Sequence, residues 1–307
     1  MGSDRPADEA FRLLSDEIRL DILRAVALAQ HEVSGAAVAA PSFSDIYERV
    51  DVDNTSKLSY HLGELTGTFL RKHDGGYAFT HAGERVVRFV LAENHRRPAE
   101  FGRIDAAGNC LFCGAARLQA TLEGQFFMIR CGACDRPAFS YRVTPAQVRA
   151  HEEGDLVEAV RGEQAGDFLK MRQGVCPDCA GRLETEVRAI DEAPEYEGLP
   201  ASFGTFSECQ ECLRCLGVPL THAAVYHPES VAFHWEHGVD ILGTGVWEFH
   251  RYLREGRWTD ERVDDDPETY RVDLRRDDAS LRLFLDGSAA VTRTERIQRR
   301  DHGGGDG

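Results

Sequence analysis

All nine cysteines of the chain fall between positions 110 and 215. Cys110-x2-Cys113 (CLFCG) and Cys131-x2-Cys134 (CGACD) are separated by 17 residues, within the roughly 15–20 residues typical of two-knuckle zinc sites. A CxxC turn presents two thiolates with backbone N–H groups aimed at sulfur, and two such turns complete a closed tetrahedral site. Cys176-Pro-Asp-Cys179 is a third knuckle, followed by Gly181. The fourth is ambiguous, because Cys209-x2-Cys212-x2-Cys215 holds two overlapping pairs. A glycine often follows a knuckle's second thiolate, and Cys215-Leu-Gly217 supplies one. The expected second set is therefore Cys176, Cys179, Cys212 and Cys215, with Cys209 a spare thiol. The expected cofactor is Zn(2+), at two structural sites per chain.

Competing cysteine chemistry is disfavoured. A thioredoxin-like CxxC needs one pair at a helix start, not four pairs in ribbon context, and disulfides are rare in a cytosolic protein. Catalytic zinc keeps an open position and usually carries His or carboxylate ligands, whereas four thiolates close the site. His222, His227, His234, His237 and His250 gather near Trp235 and Trp247, but at no spacing that matches a zinc-enzyme motif. Packing is the expected role of these rings; an apolar effector pocket between two helices and a β-meander is the sharper alternative. With no phosphate loop and no nucleophile elbow, no catalytic residue is expected and the chain is read as a non-enzyme.

The elements that position these groups belong to a chain of 307 residues, 42% apolar and 29% charged, enough for several cores. No run approaches the 18 or so apolar residues of a membrane span, and the acidic start is unlike a signal peptide. The net charge is −16, and only Lys57, Lys72 and Lys170 among the 36 cations are lysine. Many carboxylates with few long ammonium stems is the composition of proteins in near-saturated salt, so a halophilic cytoplasm is expected. Against that background, residues 54–97 carry seven bases and four acids, net +3, and four histidines.

The basic window lies in a series of short elements. Phe11, Leu14, Ile18, Ile22 and Val26 have helical spacing over 7–30, with a restart at Ser15-Asp16-Glu17. A loop covers 34–42, a short helix follows Ser42 or Ser44, and Asn54 or Thr55 caps a third helix, TSKLSYHLGEL. Its stripe Leu58, Leu62 and Leu65 predicts that Thr55, Ser56, Lys57, Ser59, Tyr60 and His61 face outward. These are hydroxyls, a cation and two hydrogen-bonding rings, the groups that phosphates and base edges require. Asp74-Gly75-Gly76 joins a hairpin with a basic shoulder, Arg71 and Lys72, and 81–97 is amphipathic.

This order, with KLSYHLGEL followed by a glycine-tipped hairpin, resembles the ArsR-like winged helix-turn-helix regulators of the haloarchaeal type over about residues 7–97. The resemblance implies a DNA-binding transcription regulator and a homodimer, with Lys57, Ser59, Tyr60 and His61 facing DNA and Arg71 and Lys72 as wing contacts. No cysteine precedes Cys110, so the metal sensing that some relatives perform inside this domain is not expected. A protein-interaction adaptor of the transcription machinery is the alternative, and a zinc-dependent enzyme the third reading.

The expected fold is α+β: a winged helix-turn-helix, four-cysteine zinc-ribbon segments, and a C-terminal helix-plus-antiparallel-β-meander domain. The divisions are 1–97 (winged helix-turn-helix), 98–143 (first ribbon), 144–175 (helical connector), 176–220 (second four-cysteine segment), 221–299 (two helices and meander) and 300–307 (tail). The expected partners are double-stranded DNA, a second copy of the chain and a small-molecule effector, with no membrane.

Overall fold

The computed structural model describes residues 5–32, 40–97, 101–190 and 199–298. The acidic loop 191–198, the tail 300–307 and most of the 34–42 loop lie outside the described residues. The chain forms two compact units, Met1–Pro98 and Ala99–Gly307.

In the first unit, α1 (Ala7–Leu13) and α2 (Glu17–Glu32) are separated by the break expected near Ser15. Ile22, Leu23, Ala25 and Val26 of α2 are buried, whereas Phe11 is 71% exposed. The break makes α1 a separate helix, so the 7–30 periodicity does not carry Phe11 inward. Ser42 caps α3 (Phe43–Tyr47) in a capping box with Asp45, and the Asn54 side chain accepts from the Lys57 N–H to cap α4 (Thr55–Leu65).

β1 (Leu70–His73) and β2 (Gly76–Phe79) pair antiparallel. Positive φ at Asp74 and Gly75 supplies the twist-matched two-residue turn. Thr80 caps α5 (His81–Leu91), which stops short of residue 97 and buries Val87. Phe89 and Leu91 face outward. A Cβ at Gly83 would overlap the Phe69 carbonyl, so only glycine lets α5 sit this close to the hairpin. One core of Ile22, Val26, Ile46, Leu58, Leu62, Leu65, Leu70 and Val87 joins these elements.

Among its described residues the second unit has three antiparallel sheets. β3 (Ile104–Ala106), β4 (Leu118–Glu123), β5 (Phe126–Cys131) and β6 (Pro137–Arg142) lie in sequence order, with the β4–β5 turn at Gly124. Thr144 caps α6 (Pro145–Ala150), with Pro145 in the first turn, and α7 (Glu153–Arg172) follows. β7 (Leu183–Ala189), β8 (Phe203–Cys209) and β9 (Cys215–Pro219) form the second sheet.

Next come α8 (Leu220–Val225), α9 (Pro228–Glu236) and α10 (Val246–Arg254), then β10 (Trp258–Asp265), β11 (Glu268–Arg276), β12 (Ala279–Asp286) and β13 (Val291–Gln298). The inward positions of β11 and β12, Tyr270, Val272, Leu274, Leu281, Leu283 and Leu285, alternate with positions that are polar except for Phe284, as a one-sided sheet requires.

The segments of the second unit share cores. Leu156, Val157 and Val160 of α7 pack with the β3–β6 sheet, while Ala165 and Phe168 join the core under β10–β13. α10 is divided in the same way, with Trp247 in the first core and Phe249 and Leu253 in the second.

Candidate metal centres and basic helix–hairpin face

Cys110, Cys113, Cys131 and Cys134 bring four sulfurs within 4.8 Å of one another, and Cys176, Cys179, Cys209 and Cys212 do the same. The Cys110–Cys134 and Cys113–Cys131 sulfurs are 3.7 and 3.6 Å apart. Cys176–Cys212 and Cys179–Cys209 are 3.7 and 3.4 Å apart. A tetrahedral zinc with Zn–S bonds of about 2.3 Å needs sulfurs about 3.8 Å apart, far beyond a disulfide. Donor set, count and spacing therefore fit two structural zinc ions per chain.

The second set differs from the one expected: Cys209 is a ligand and Cys215 is not. The cause lies in the turn. The N–H groups of Cys110, Cys131, Cys176 and Cys209 donate to the carbonyls of Ala115, Arg136, Gly181 and Arg214, five residues on, at 2.8–3.1 Å. Each of these cysteines also accepts from the residue four positions on: Gly114, Asp135, Ala180 and Leu213. Those four residues have positive φ (79°, 57°, 62° and 59°). A knuckle thus needs a left-handed residue directly after its second thiolate, and Leu213 takes that role for Cys212. After Cys215 the chain is extended: Cys215 pairs with Glu208 and Leu216 with Ser207. Gly217 lies in that strand and turns nothing.

Proton affinity divides within each cluster. Burial pushes the Cys110 thiol up to about 12. Burial also opposes ionisation of Cys131, but the N–H groups of Ala133 and Cys134 and the neighbouring thiols outweigh it and bring Cys131 down to about 7. The N–H of Cys212, then that of Glu211, lowers Cys209 to about 7, while the Cys179 thiol holds Cys212 up. One thiolate near neutrality per cluster is a starting point from which a soft cation displaces the remaining protons.

Charged side chains fix the knuckles from outside. Arg254 of α10 donates from Nη1 to the Leu111 and Phe112 carbonyls at 2.9 and 3.0 Å, and Arg136 lies 3.4 Å over the Phe112 ring. In the second cluster Arg214 Nε pairs with Asp178 Oδ2 at 3.3 Å, tying one knuckle to the other. Sequence reasoning passed over Arg254 because it lies far along the chain from the thiols it supports.

In the first unit, Thr55, Ser56, Ser59 and Tyr60 are exposed on α4 and Lys57 is half-buried. Lys57 Nζ lies 3.2 Å from Asp53 Oδ2. Arg71 and Lys72 are exposed on the hairpin; Arg71 Nε donates to the Phe79 carbonyl, and Lys72 has no ion pair among the described residues. His61 is not on this face. It is 6% exposed, accepts at Nδ1 from Arg19 Nε at 3.4 Å, and has Asp16 Oδ1 at 3.8 Å. His61 stands three residues after Leu58 and four before Leu65, which is the buried stripe of an α-helix.

The C-terminal histidines divide between core and rim. His222, His234 and His250 are buried around Trp258, Phe249 and Phe233. Burial lowers His222 and His234 to about 4 and His250 well below its ordinary value, so all three are neutral rings. His237 Nδ1 is tied to the Phe233 carbonyl at 2.7 Å.

No curated protein and no solved structure matches the chain. Residues 7–90 match the family described as Domain of unknown function (DUF7347), and residues 107–291 match that described as Domain of unknown function (DUF7351). The second match spans more than half of the 307 residues and takes in both four-cysteine clusters and the strands from β4 to β12. The chain belongs to the DUF7351 family.

Proposed function

We propose that the chain is a sequence-specific DNA-binding transcription regulator acting in the cytoplasm. On this reading the first unit is a winged helix-turn-helix of the ArsR-like kind, with α4 as its recognition helix and the β1–β2 hairpin as its wing. The second unit is a zinc-ribbon scaffold that supports dimerisation or receives a signal. The observation that carries the reading is the outward face of α4. Leu58, Leu62 and Leu65 anchor the helix, leaving Thr55, Ser56, Ser59 and Tyr60 exposed beside Lys57. The hairpin adds Arg71 and Lys72 within the net-positive window. A helix with hydroxyl and ring donors on one face and a cationic hairpin following it suits major-groove docking with backbone contacts.

The test is selection from random double-stranded DNA by the zinc-loaded chain in about 2 M KCl, which suppresses non-specific phosphate binding. An enriched palindrome is expected, and Lys57→Ala with Tyr60→Ala lowers affinity for it while the circular dichroism spectrum is unchanged. Failure to enrich any sequence with folded, zinc-loaded protein overturns the reading. A second reading, an adaptor for protein partners, is favoured by Trp235, 70% exposed beside an apolar depression that includes Val231 and Leu242. Co-purification of transcription-machinery subunits without DNA enrichment would select it.

A further inference from the structure

The inward face of the β7–β8 pair breaks the rule followed by the other sheets. Along β7 the inward residues are Leu183, Thr185 and Val187, and along β8 they are Phe203, Thr205, Ser207 and Cys209, with Thr185 opposite Ser207 and Val187 opposite Thr205. Thr205 and Ser207 are 2% and 4% exposed. The equivalent positions of β11 and β12 hold only Tyr, Val and Leu. A buried hydroxyl costs about 1–3 kcal/mol unless it is hydrogen-bonded, and each of the three has one partner. Thr185 Oγ1 and Ser207 Oγ are 2.7 Å apart, so one hydroxyl of that pair keeps its hydrogen to donate elsewhere, and Thr205 Oγ1 donates to the Val218 carbonyl at a long 3.3 Å.

These hydroxyls line a cavity of about 220 Å3. Its walls are Phe168 and Met171 of α7, Leu183, Ala223 of α8, and the Ser288–Ala290 turn after β12. That turn is fixed to the sheet by the Val187 N–H donating to the Gly287 carbonyl at 2.9 Å. Arg172, in the last turn of α7, stands at the cavity and has no hydrogen bond or ion pair among the described residues. The acid of the adjoining turn, Asp286, directs Oδ1 to the N–H and Oγ of Ser288 and the N–H of Ala290, away from competition with an anion.

We propose that this cavity binds a small monocarboxylate, its carboxylate held by Arg172 and the Thr185–Ser207 hydroxyl pair, with the carbon skeleton against Phe168, Met171 and Ala223. Arginine matches a carboxylate's two oxygens, and hydroxyls donate to whichever oxygen remains. The cavity is below the roughly 300 Å3 at which drug-sized pockets begin, which restricts the ligand to a handful of carbons. The site does not depend on DNA binding by the first unit.

Calorimetric titration of the full zinc-loaded chain with butyrate and benzoate, and with butyramide and benzamide as uncharged counterparts, tests the proposal. Saturable binding of at least one acid is expected, with its amide weaker by about tenfold or more, the loss of one charge-assisted hydrogen bond. Arg172→Gln should abolish the preference for acid over amide. Ala223→Leu, which fills the cavity without touching the charge, should abolish binding while zinc content stays at two per chain. No saturable heat from either acid, equal binding of acid and amide, or undiminished binding by the zinc-loaded Ala223→Leu variant would each overturn it.

Discussion

Replacing Cys215 by Ser leaves two zinc ions bound, whereas replacing Cys209 or Cys212 removes one. Turn geometry makes the prediction, and the local core sets its size. Around the second cluster the buried residues are Cys176, Leu183 and Cys209, with Met171 packed against them. Burying one leucine contributes about 1.5–3 kcal/mol. Ordering each residue of the two knuckles costs about 1–2 kcal/mol. Apolar burial alone therefore loses, and the metal must supply the difference, within the roughly 10–16 kcal/mol apparent for structural zinc sites. The assay is zinc content with thiol counting on native chain. Of nine cysteines, one should react with a colorimetric disulfide reagent when zinc is bound, and none in Cys215→Ser. Nine react after denaturation with chelator. A zinc lost from Cys215→Ser, or two zincs retained by Cys209→Ser, would refute the knuckle argument.

Arg254→Ala frees the Leu111 and Phe112 carbonyls and should weaken zinc at the first cluster by about 10- to 100-fold, as outer-shell losses do, without altering the second; competition with a chromogenic chelator reads this. His61→Ala should destabilise the first unit by about 1–3 kcal/mol through the lost Arg19 Nε contact and the cavity left, seen as a lower denaturant midpoint. Buried neutral His222 and His234 give a pH dependence of definite sign. The unfolded state takes up protons below 6.5, while the folded rings resist them to about 4. Stability is therefore full above the unfolded value and falls as pH drops through that window, each ring costing about 2 kcal/mol by pH 5. His234→Gln should flatten the pH dependence of the denaturant midpoint by that amount; an unchanged slope contradicts the buried-neutral assignment.

Local chemistry made much of the fold legible. Ser42, Asn54, Thr80 and Thr144 cap helices where their side chains meet a following apolar run, and Asp74-Gly75 turns the hairpin. The first cluster was readable because its spacing allows one pairing. The second was not, since Cys209-x2-Cys212-x2-Cys215 satisfies the same rule twice. The available signal was the strand before it: β5 ends on Cys131 and β8 ends on Cys209, so both second knuckles begin where a strand stops. His61 was misplaced by its chemistry, a ring suited to base edges, although its spacing from Leu58 and Leu65 put it inward. The sharing of cores through Trp247 and Phe168 depends on long-range packing that no local pattern encodes. The same holds for the hydroxyl-lined cavity, because alternating Thr and Ser read equally well as the outward face of a strand.

The two metal centres differ in what surrounds them, and that difference orders their loss. Cys110 and Cys131 are buried in a core with Leu118, Phe127, Ile129, Val160 and Trp247, and Arg254 clamps the knuckle carbonyls. The second cluster has Leu183 for a core and exposes both Cys179 and Cys212. A chelator reaches thiolates through local opening, whose cost follows the apolar area that opening exposes. Limited chelator should therefore take the second zinc first, and alkylation followed by peptide mass spectrometry should label Cys176, Cys179, Cys209 and Cys212 before Cys110, Cys113, Cys131 and Cys134. β7 and β8 carry both the second cluster's Cys209 and the hydroxyls of the cavity. The half-stripped chain should thus lose carboxylate binding while the β3–β6 sheet keeps its amide protection. Labelling of the first cluster before the second would show that burial around the thiols does not govern metal release.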